Sequence, residues 1–351
     1  MGDRKILLKI LLAVFLLGVV LQAKAAGGGE ESFNPGNFIL DHVGDAYDWH
    51  IFTYKNHHVS VPLPVILYSK QLGFHAFMSS KFHHGSHSHN GFSIASECAN
   101  KGKVVEVATG ARPVLDLSIT KNVFAIFVAV ALILWVFISV AKVYVSRGNQ
   151  APKGLQSWVE PVILFVRDDI ARPNIGYKYK KFMPYLLTVF FFILVNNLMG
   201  LIPFFPFGAN VTGNIAVTLV LALLTFAITT FSAGKSYWIH IINTPGVPWW
   251  LKFPLPLMPI IELMGVFTKP IVLMMRLFAN ITAGHIIIIG FFSLIFIFGQ
   301  MNVGMGYGAA VISVIFTVFM SFLELLVAFI QAYVFTLLSA LYFGMATLDH
   351  H

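Results

Sequence analysis

Two long apolar stretches near the end of the sequence restrict the possible folds more than any other feature. Residues 271–298 and 308–343 contain almost no charged side chains. As α-helices they would extend ~42 Å and ~54 Å at ~1.5 Å per residue, whereas the hydrocarbon core of a bilayer is only ~30 Å thick. Helices of this length in lipid must tilt strongly, break, or follow a curved surface.

The composition excludes a soluble globular domain as the main part of the chain. The 351 residues are 57% hydrophobic and 11% charged, whereas about a quarter of a soluble domain is charged. Further apolar stretches that predict membrane helices are residues 122–141, 182–201 and 214–231. The apolar stretch 158–166 is too short to span a bilayer and predicts an interfacial helix. The stretch 257–268, which ends ahead of Pro270, predicts one arm of a hairpin that does not fully cross the membrane. We therefore predict an all-α polytopic membrane protein with five to six membrane helices, the last two long and tilted.

The net charge of +8 does not indicate nucleic-acid binding, because the cations do not alternate with aromatic side chains along a soluble face. They flank the apolar stretches instead. Residues 142–181 carry Lys and Arg and residues 235–252 carry Lys, whereas residues 204–213 and 300–306 carry neither. By the positive-inside rule the two basic segments lie in the cytoplasm. This alternation predicts an exported N-terminus and a cytoplasmic C-terminus.

The first residues have the features of an export signal. Basic residues precede and enter an apolar stretch, and Ala23-Lys24-Ala25 fits a small-x-small cleavage pattern. Residues 1–25 are therefore predicted to be a signal peptide, with a short N-terminal membrane anchor as the alternative. Residues 26–118 would then form a periplasmic N-terminal region with possible short strands, and residues 119–351 a membrane domain.

Histidines are concentrated in the predicted periplasmic region. The segment from His83 to His89 contains four of the 13 in the chain, and such a cluster could bind zinc or copper. A metal site needs fixed ligands with second-shell support, however, and the glycine and serine residues of this segment favour a solvated loop. We therefore predict no metal ion and no cofactor, with metal binding as the alternative.

Four ionisable side chains lie within apolar surroundings in the second half of the chain: Glu262, Arg276, His285 and Glu324. Such groups cost several kcal/mol in lipid unless they are paired or hydrated, so each is a functional candidate. For Arg276 the alternative is a side chain that snorkels to the interface. Apolar residues extend on both sides of Arg276, and Lys269 already provides an interfacial cation, so a functional role is favoured.

Helical spacing relates these groups to their neighbours. Asn280 lies four residues after Arg276 and therefore on the same face of a helix, whereas His285 lies about half a turn around it. Glu324 and Gln331 are seven residues apart and also share a face. Gln331 could hydrogen-bond a guanidinium, and Glu324 could pair with His285. Ordinary interhelical hydrogen bonding is the alternative for Gln331.

The sequence around Arg276 resembles the signature of subunit a of F-type ATP synthases. The matching residues are Met275-Arg276-Leu277-Phe278-Ala279-Asn280, followed by Ala283-Gly284. Four other parts of the chain resemble family motifs and occur in the same order as in the family: 197–203, 214–218, Glu262 with Lys269-Pro270, and 331–335. Because several ordered motifs agree, the resemblance over residues 121–351 is specific, but it says little about residues 27–118.

The resemblance implies a proton-translocating stator subunit of a rotary ATP synthase in the inner membrane of a bacterium. In that family the arginine faces a ring of small rotor c subunits, each with a membrane carboxylate. Arg276 would hold that carboxylate ionised and block a leak between two offset half-channels, and Asn280 and Gln331 would line the same surface. The peripheral stalk b subunits and the other ATP synthase subunits are further implied partners. The chain would be a non-catalytic subunit, because ATP is made in a separate soluble head.

One pair of residues departs from the commoner family pattern. The family often has a carboxylate in the arginine helix and a histidine in the last helix, whereas here His285 stands in the first place and Glu324 in the second. The exchange keeps one acid and one imidazole in the exterior half-channel. It leaves two possible orders of proton transfer between them.

Three other classes of function fit the sequence less well. A secondary transporter would show internal repeats and broken helices in matching halves, and no repeat is visible in the sequence. A membrane metalloenzyme would show a motif such as HExxH, which is absent from the sequence. A purely structural anchor would not keep four ionisable groups in lipid.

Overall fold

The computed structural model describes residues 36, 44–54, 57–95, 100–147, 153–202, 207–242 and 257–347. The predicted signal peptide, residues 1–25, lies outside the described residues. The chain divides into two compact units. The first contains the chain up to Phe124 together with residues 289–317, and the second contains residues 125–288 and 318–351.

The N-terminal part of the first unit consists of short antiparallel strands, as its alternating sequence predicts. The strands are β1 (Asp48–Tyr54), β2 (His57–Pro62), β3 (Pro64–Ser69), β4 (Gly73–Met78), β5 (Phe92–Ile94), β6 (Val104–Glu106) and β7 (Leu115–Asp116). They form a β1-β2 pair, a three-stranded sheet in the order β4-β3-β7, and a β5-β6 pair. Val65, Leu67, Phe82, Phe92 and Val104 are fully buried and form a small hydrophobic core.

The rest of the described chain is helical. The helices are α1 (Lys121–Arg147), α2 (Leu155–Phe165), α3 (Arg172–Ile175), α4 (Tyr179–Gly200), α5 (Ile215–Ser232), α6 (Lys235–Ile242), α7 (Leu257–Met301) and α8 (Val303–Thr347). Five helical segments are long and apolar enough to cross a membrane. These observations confirm a mainly helical fold with two long C-terminal helices and a small N-terminal region of strands.

The predicted boundary between residues 158–166 and the next span is wrong, because the structure joins the two into one helical segment. A π-helical turn, Val166–Ala171, continues α2 into α3, and a 3-10 turn, Gly176–Lys178, leads into α4. Together they make a helical segment of 46 residues. Val166 and Ile170 in the π-helical turn are fully buried, so packing in the core stabilises the turns that bridge the two pieces.

The predicted break of the helix at Pro270 is also wrong. Helix α7 runs through Pro270 without interruption for 45 residues. A proline in a helix interior costs about 3 kcal/mol or more. Val266 and Leu273, one turn on either side of Pro270, are buried, and each buried aliphatic side chain contributes about 1.5–3 kcal/mol. Tertiary packing therefore keeps both arms of α7 in one helix.

The core of the second unit lies where α4 packs against α8. The rings of Phe182 at the start of α4 and Phe343 near the end of α8 are stacked with centroids 4.8 Å apart. At the same end, Lys178 donates to the carbonyl of Thr347 over 2.9 Å. At the opposite end of α4, the amide of Asn197 donates to the carbonyl of Ala328 over 3.3 Å. The two helices are therefore antiparallel in contact.

Candidate functional site

Helices α7 and α8 pack antiparallel in the second unit, and two contacts fix their register. Nδ1 of His285 lies 3.3 Å from Oε1 of Glu324, and Nζ of Lys269 lies 5.5 Å from the ring centroid of Tyr342. Arg276 precedes His285 by nine residues on α7. Because the helices are antiparallel, the residue at the same level on α8 lies about nine residues after Glu324, near Tyr333. The structure therefore brings Arg276 to the level of the turn that contains Gln331.

His285 and Glu324 form the buried ionisable pair that the sequence predicts. Their side chains are 19% and 5% exposed. Among the described residues, Oε1 of Glu324 accepts no hydrogen bond of good geometry, although it lies within ion-pairing distance of the imidazole. Gly284 makes this approach possible, because a Cβ atom there would lie 2.9 Å from the same oxygen. The pair is positioned for a proton to pass between imidazole and carboxylate.

A buried polar network lies at the same end of the bundle. Asn197 is buried, and its carbonyl oxygen accepts a 2.6 Å hydrogen bond from the hydroxyl of Thr212. The hydroxyl of Thr282 on α7 donates to the carbonyl of Gly213 over 3.4 Å. A Cβ atom at Gly200 would lie 3.7 Å from Nε2 of His285, so the end of α4 approaches the imidazole. This network provides polar groups around His285 inside an otherwise apolar bundle.

Arg276 and Asn280 lie on the exposed face of α7, as their spacing predicts. Leu273, Leu277 and Ile281, on the adjoining side of the helix, are buried in the second unit, whereas Arg276 and Asn280 are exposed. Among the described residues, no carboxylate lies within ion-pairing distance of Arg276. The side chain of Arg276 is therefore accessible at the surface of its own chain, where a partner could reach it.

Gln331, which is expected to line the same surface as Asn280, is buried within the chain, and its role on that surface stays a prediction. It is 4% exposed and lies on the side of α8 that carries the buried residues Ala328 and Phe335. The physical reason is its spacing: residues three and four apart share a helix face, and this face of α8 packs into the core of the second unit. Gln331 does share that face with Glu324, as predicted.

Glu262 lies near the other end of the bundle. It lies near Tyr237 on α6. Burial of Tyr237 raises the pKa of its hydroxyl, and the negative charge of Glu262 raises it further. Lys269 is one heptad further along α7 and contacts Tyr342. The structure therefore does not bring Glu262 together with His285 and Glu324, but places it in a separate polar region.

This second polar region includes hydroxyls that the sequence reasoning missed. The hydroxyl of Tyr185 on α4 lies 2.8 Å from that of Thr225 on α5, and Thr225 lies 3.5 Å from the hydroxyl of Ser339 on α8. Thr225 and Thr229 line a small cleft together with Tyr237, Lys269 and Tyr342. Thr225 and Thr229 are four residues apart in an apolar helix and therefore share a face. This spacing could have predicted a polar face on α5.

The His-rich segment shows no metal site in the described part of the chain. The rings of His83 and His87 lie 5.1 Å apart at their centroids. No group of three or more His, Cys, Asp or Glu side chains among the described residues is arranged to hold a metal ion.

The five membrane-capable helices of the described chain define a multi-pass membrane protein. Residues 123–344 match the family described as ATP synthase A chain, and the chain belongs to this family. Residues 38–122 match a second family, described as a domain of unknown function.

Several curated proteins are similar to this chain over its helical part. The ATP synthase subunit a 2 of Chlorobaculum tepidum is 51% identical over 239 residues, which are 66% of this chain and 64% of that protein. The ATP synthase subunit a of Chloroherpeton thalassium is 45% identical over 238 residues, 66% of this chain and 67% of that protein. That of Anaeromyxobacter dehalogenans is 43% identical over 249 residues, 68% of this chain and 60% of that protein. The chain thus spans about two thirds of the length of the relatives it matches.

Proposed function

We propose that this chain is the proton-translocating stator subunit of a rotary ATP synthase. The observation that carries the proposal is the position of Arg276: it lies within a membrane-capable helix, and its side chain is exposed. A guanidinium remains charged at any working pH, and a charge in lipid is costly unless it is paired or hydrated. Since no described carboxylate pairs with it, its counter-charge would be the membrane carboxylate of a rotor c subunit.

Arg276 would couple proton flow to rotation through its effect on that carboxylate. A carboxylate that enters lipid favours its protonated form, because desolvation disfavours the charge. Beside a fixed guanidinium the ionised form is favoured instead. Each ring site would release its proton as it reaches Arg276 and take one up again before returning to lipid. The same positive charge would prevent protons from leaking directly between the two half-channels.

The two polar regions would serve as the two offset half-channels. The first surrounds His285 and Glu324 and includes Asn197, whose side chain bridges α8 and Thr212. It would supply protons from the exterior side, with imidazole and carboxylate as the relay, since histidine exchanges protons near neutral pH. The second contains Glu262 and the hydroxyls beside Thr225 and would open to the cytoplasm. Asn280, on the exposed face, would line the surface between them.

The remaining elements of the proposal concern assembly and location. The chain would lie in the inner membrane of a bacterium, with residues 1–25 removed as a signal peptide, residues 26–118 in the periplasm and the C-terminus in the cytoplasm. Residues 119–351 would form the channel domain. The ring of c subunits, the peripheral stalk b subunits and the other ATP synthase subunits would be its partners. The long helices α7 and α8, of 45 residues each, would tilt across the bilayer and follow the curved surface of the ring.

The test is ATP-driven proton pumping in inverted membrane vesicles that carry Arg276→Ala, with assembly of the complex measured in parallel. We expect an assembled complex that no longer pumps protons. Met275→Ala, at an exposed neighbouring apolar position of the same helix, is the matched control and should pump at close to the wild-type rate. Pumping by Arg276→Ala at the wild-type rate would refute the proposal and leave Arg276 as an interfacial anchor.

A further inference from the structure

The three-stranded sheet β4-β3-β7 carries apolar side chains on both of its faces. Its inner face contributes the fully buried Val65 and Leu67 to the core of the N-terminal region. Its other face, here called the outer face, consists mainly of Ile66, Tyr68, Phe74, Met78, Leu115 and Leu117. An antiparallel sheet with one face on the core normally presents polar side chains on the other. The outer face departs from that pattern.

The strand register makes the outer face continuous. Tyr68 on β3 pairs with Phe74 on β4 and with Leu115 on β7, so these three side chains stand next to one another. The amide of Leu117 donates to the carbonyl of Ile66 over 2.9 Å, which extends the same face beyond the end of β7.

The outer face is open in the structure and has no charge. Its most exposed members, Tyr68, Phe74, Met78, Leu115 and Leu117, are between 43% and 66% exposed, and Tyr68 provides its only polar side-chain group. Continuous exposed apolar patches of this kind mark surfaces that contact a partner or a membrane. The combination of aliphatic side chains with a tyrosine is typical of the interface between lipid and water, where the ring is buried and the hydroxyl is hydrated.

The position of the outer face in the chain places it next to the bilayer. Leu117 precedes the first residue of α1, Lys121, by only four positions, which corresponds to at most ~14 Å of extended chain. Residues 121–146 are the first membrane-capable segment. The connecting residues are held against β3, because the amide of Ile119 donates to the carbonyl of Pro64 over 2.9 Å.

The start of α1 is also fixed to the N-terminal region. Asp45 accepts hydrogen bonds from the hydroxyl of Thr120 over 2.8 Å and from the amide of Asn122 over 3.1 Å. The amide of Lys121 donates to the carbonyl of Ala46 over 2.9 Å. These bonds hold the first turn of the membrane helix against the segment that leads into β1, and the bond from Ile119 to Pro64 ties the preceding residues to β3. The sheet therefore stays close to the point where α1 enters the membrane.

We propose that the outer face of the β4-β3-β7 sheet rests on the membrane surface beside the start of α1. Its aliphatic side chains would contact the upper part of the acyl chains, and the hydroxyl of Tyr68 would lie among the lipid headgroups. The N-terminal region would then be a peripheral membrane-binding module that sits flat on the bilayer. This inference does not depend on the proposed proton translocation, because it rests only on the N-terminal region and on helix α1.

The test uses site-directed spin labels on the full chain in vesicles of phosphatidylcholine and phosphatidylglycerol. Cys98 is the single cysteine of the chain and is first replaced by serine. A nitroxide is then attached at Phe74→Cys or, in a second variant with a smaller change, at the exposed Ala76→Cys. Ser88→Cys, an exposed position in the His-rich segment, is the matched control.

Collision with dissolved oxygen reports lipid, and collision with a water-soluble nickel complex reports water. We expect the ratio of oxygen to nickel collision rates to be several-fold higher at positions 74 and 76 than at position 88. Equal ratios at all three positions would show that the outer face is in water and would overturn the proposal. Low collision rates with both reagents at 74 and 76 would show that protein covers the face, as in a second copy of the chain, and would overturn it as well.

Discussion

The close approach of Glu324 to Gly284 leads to a prediction about proton translocation. A Cβ atom at position 284 would lie 2.9 Å from Oε1 and 3.2 Å from Cδ of Glu324. In Gly284→Ala the carboxylate must therefore move by about half an ångström to reach an ordinary contact distance. Because Glu324 is 5% exposed, it moves against packed atoms, and its distance to His285 changes.

The expected cost follows from two opposing effects. Over-packing of a well-packed site costs about 1–3 kcal/mol, whereas replacing glycine by alanine within a helix contributes about 1 kcal/mol of stability. The net destabilisation is thus at most about 2 kcal/mol, and the complex should still assemble. If this strain falls on the proton relay between His285 and Glu324, a penalty of about 1–2 kcal/mol slows transfer about 5–30-fold.

The assay is the rate of ATP-driven proton pumping in inverted vesicles, normalised to the amount of assembled complex. Gly265→Ala on the same helix is the matched control, because a Cβ atom there meets nothing within 4 Å and the gain in helix propensity is the same. Gly265→Ala should pump at the wild-type rate. If Gly284→Ala pumps as fast as Gly265→Ala, the geometry of the His285–Glu324 pair does not control the rate, and the reasoning is refuted.

Two further predictions concern stability. Asn197→Ala removes the side chain that bridges α8 and the segment before α5, and leaving those buried partners unsatisfied costs about 1–3 kcal/mol. Thermal unfolding in detergent should therefore show a lower Tm for Asn197→Ala than for Asn280→Ala, which changes an exposed position. Equal Tm values would show that the hydrogen bonds of Asn197 do not stabilise the fold. Burial and the hydrogen bond to Asp116 raise the pKa of Tyr47 above its ordinary value. The folded state therefore keeps the hydroxyl proton of Tyr47 at pH values where the unfolded chain loses it. The contribution of Tyr47 to the free energy of unfolding is complete below about pH 10 and is lost as the pH rises further. Urea unfolding of the N-terminal region should show a steeper loss of stability above pH 10 in the wild type than in Tyr47→Phe, and identical profiles would contradict this reasoning.

Much of the membrane architecture could be predicted from local sequence. The apolar stretches identify the membrane-capable helices because lipid requires long runs of uncharged residues. That Arg276 and Asn280 share a face follows from a spacing of four residues, which depends only on the geometry of one helix. The family membership was also predictable, since the motifs around Arg276 are contiguous and ordered along the chain.

Errors arose where packing between distant segments decides the outcome. Pro270 looks like a helix break in isolation, but the buried residues on either side hold it inside α7. The burial of Gln331 on the face of α8 that packs into the core likewise depends on tertiary contacts that its spacing does not show. A sequence periodicity shows that residues share a face, but it does not show which face another helix covers.

The sequence by itself determined the class of protein, the positions of most helices and the candidate residues on each, because lipid imposes composition and the α-helix imposes spacing. Only the tertiary structure decided which of these residues meet. The pairing of His285 with Glu324, the contact of Tyr185 with Thr225, and the open apolar face around Phe74 each depend on segments that are distant in the chain or on strand register. Such contacts are set by the mutual packing of helices and strands, which no local pattern specifies.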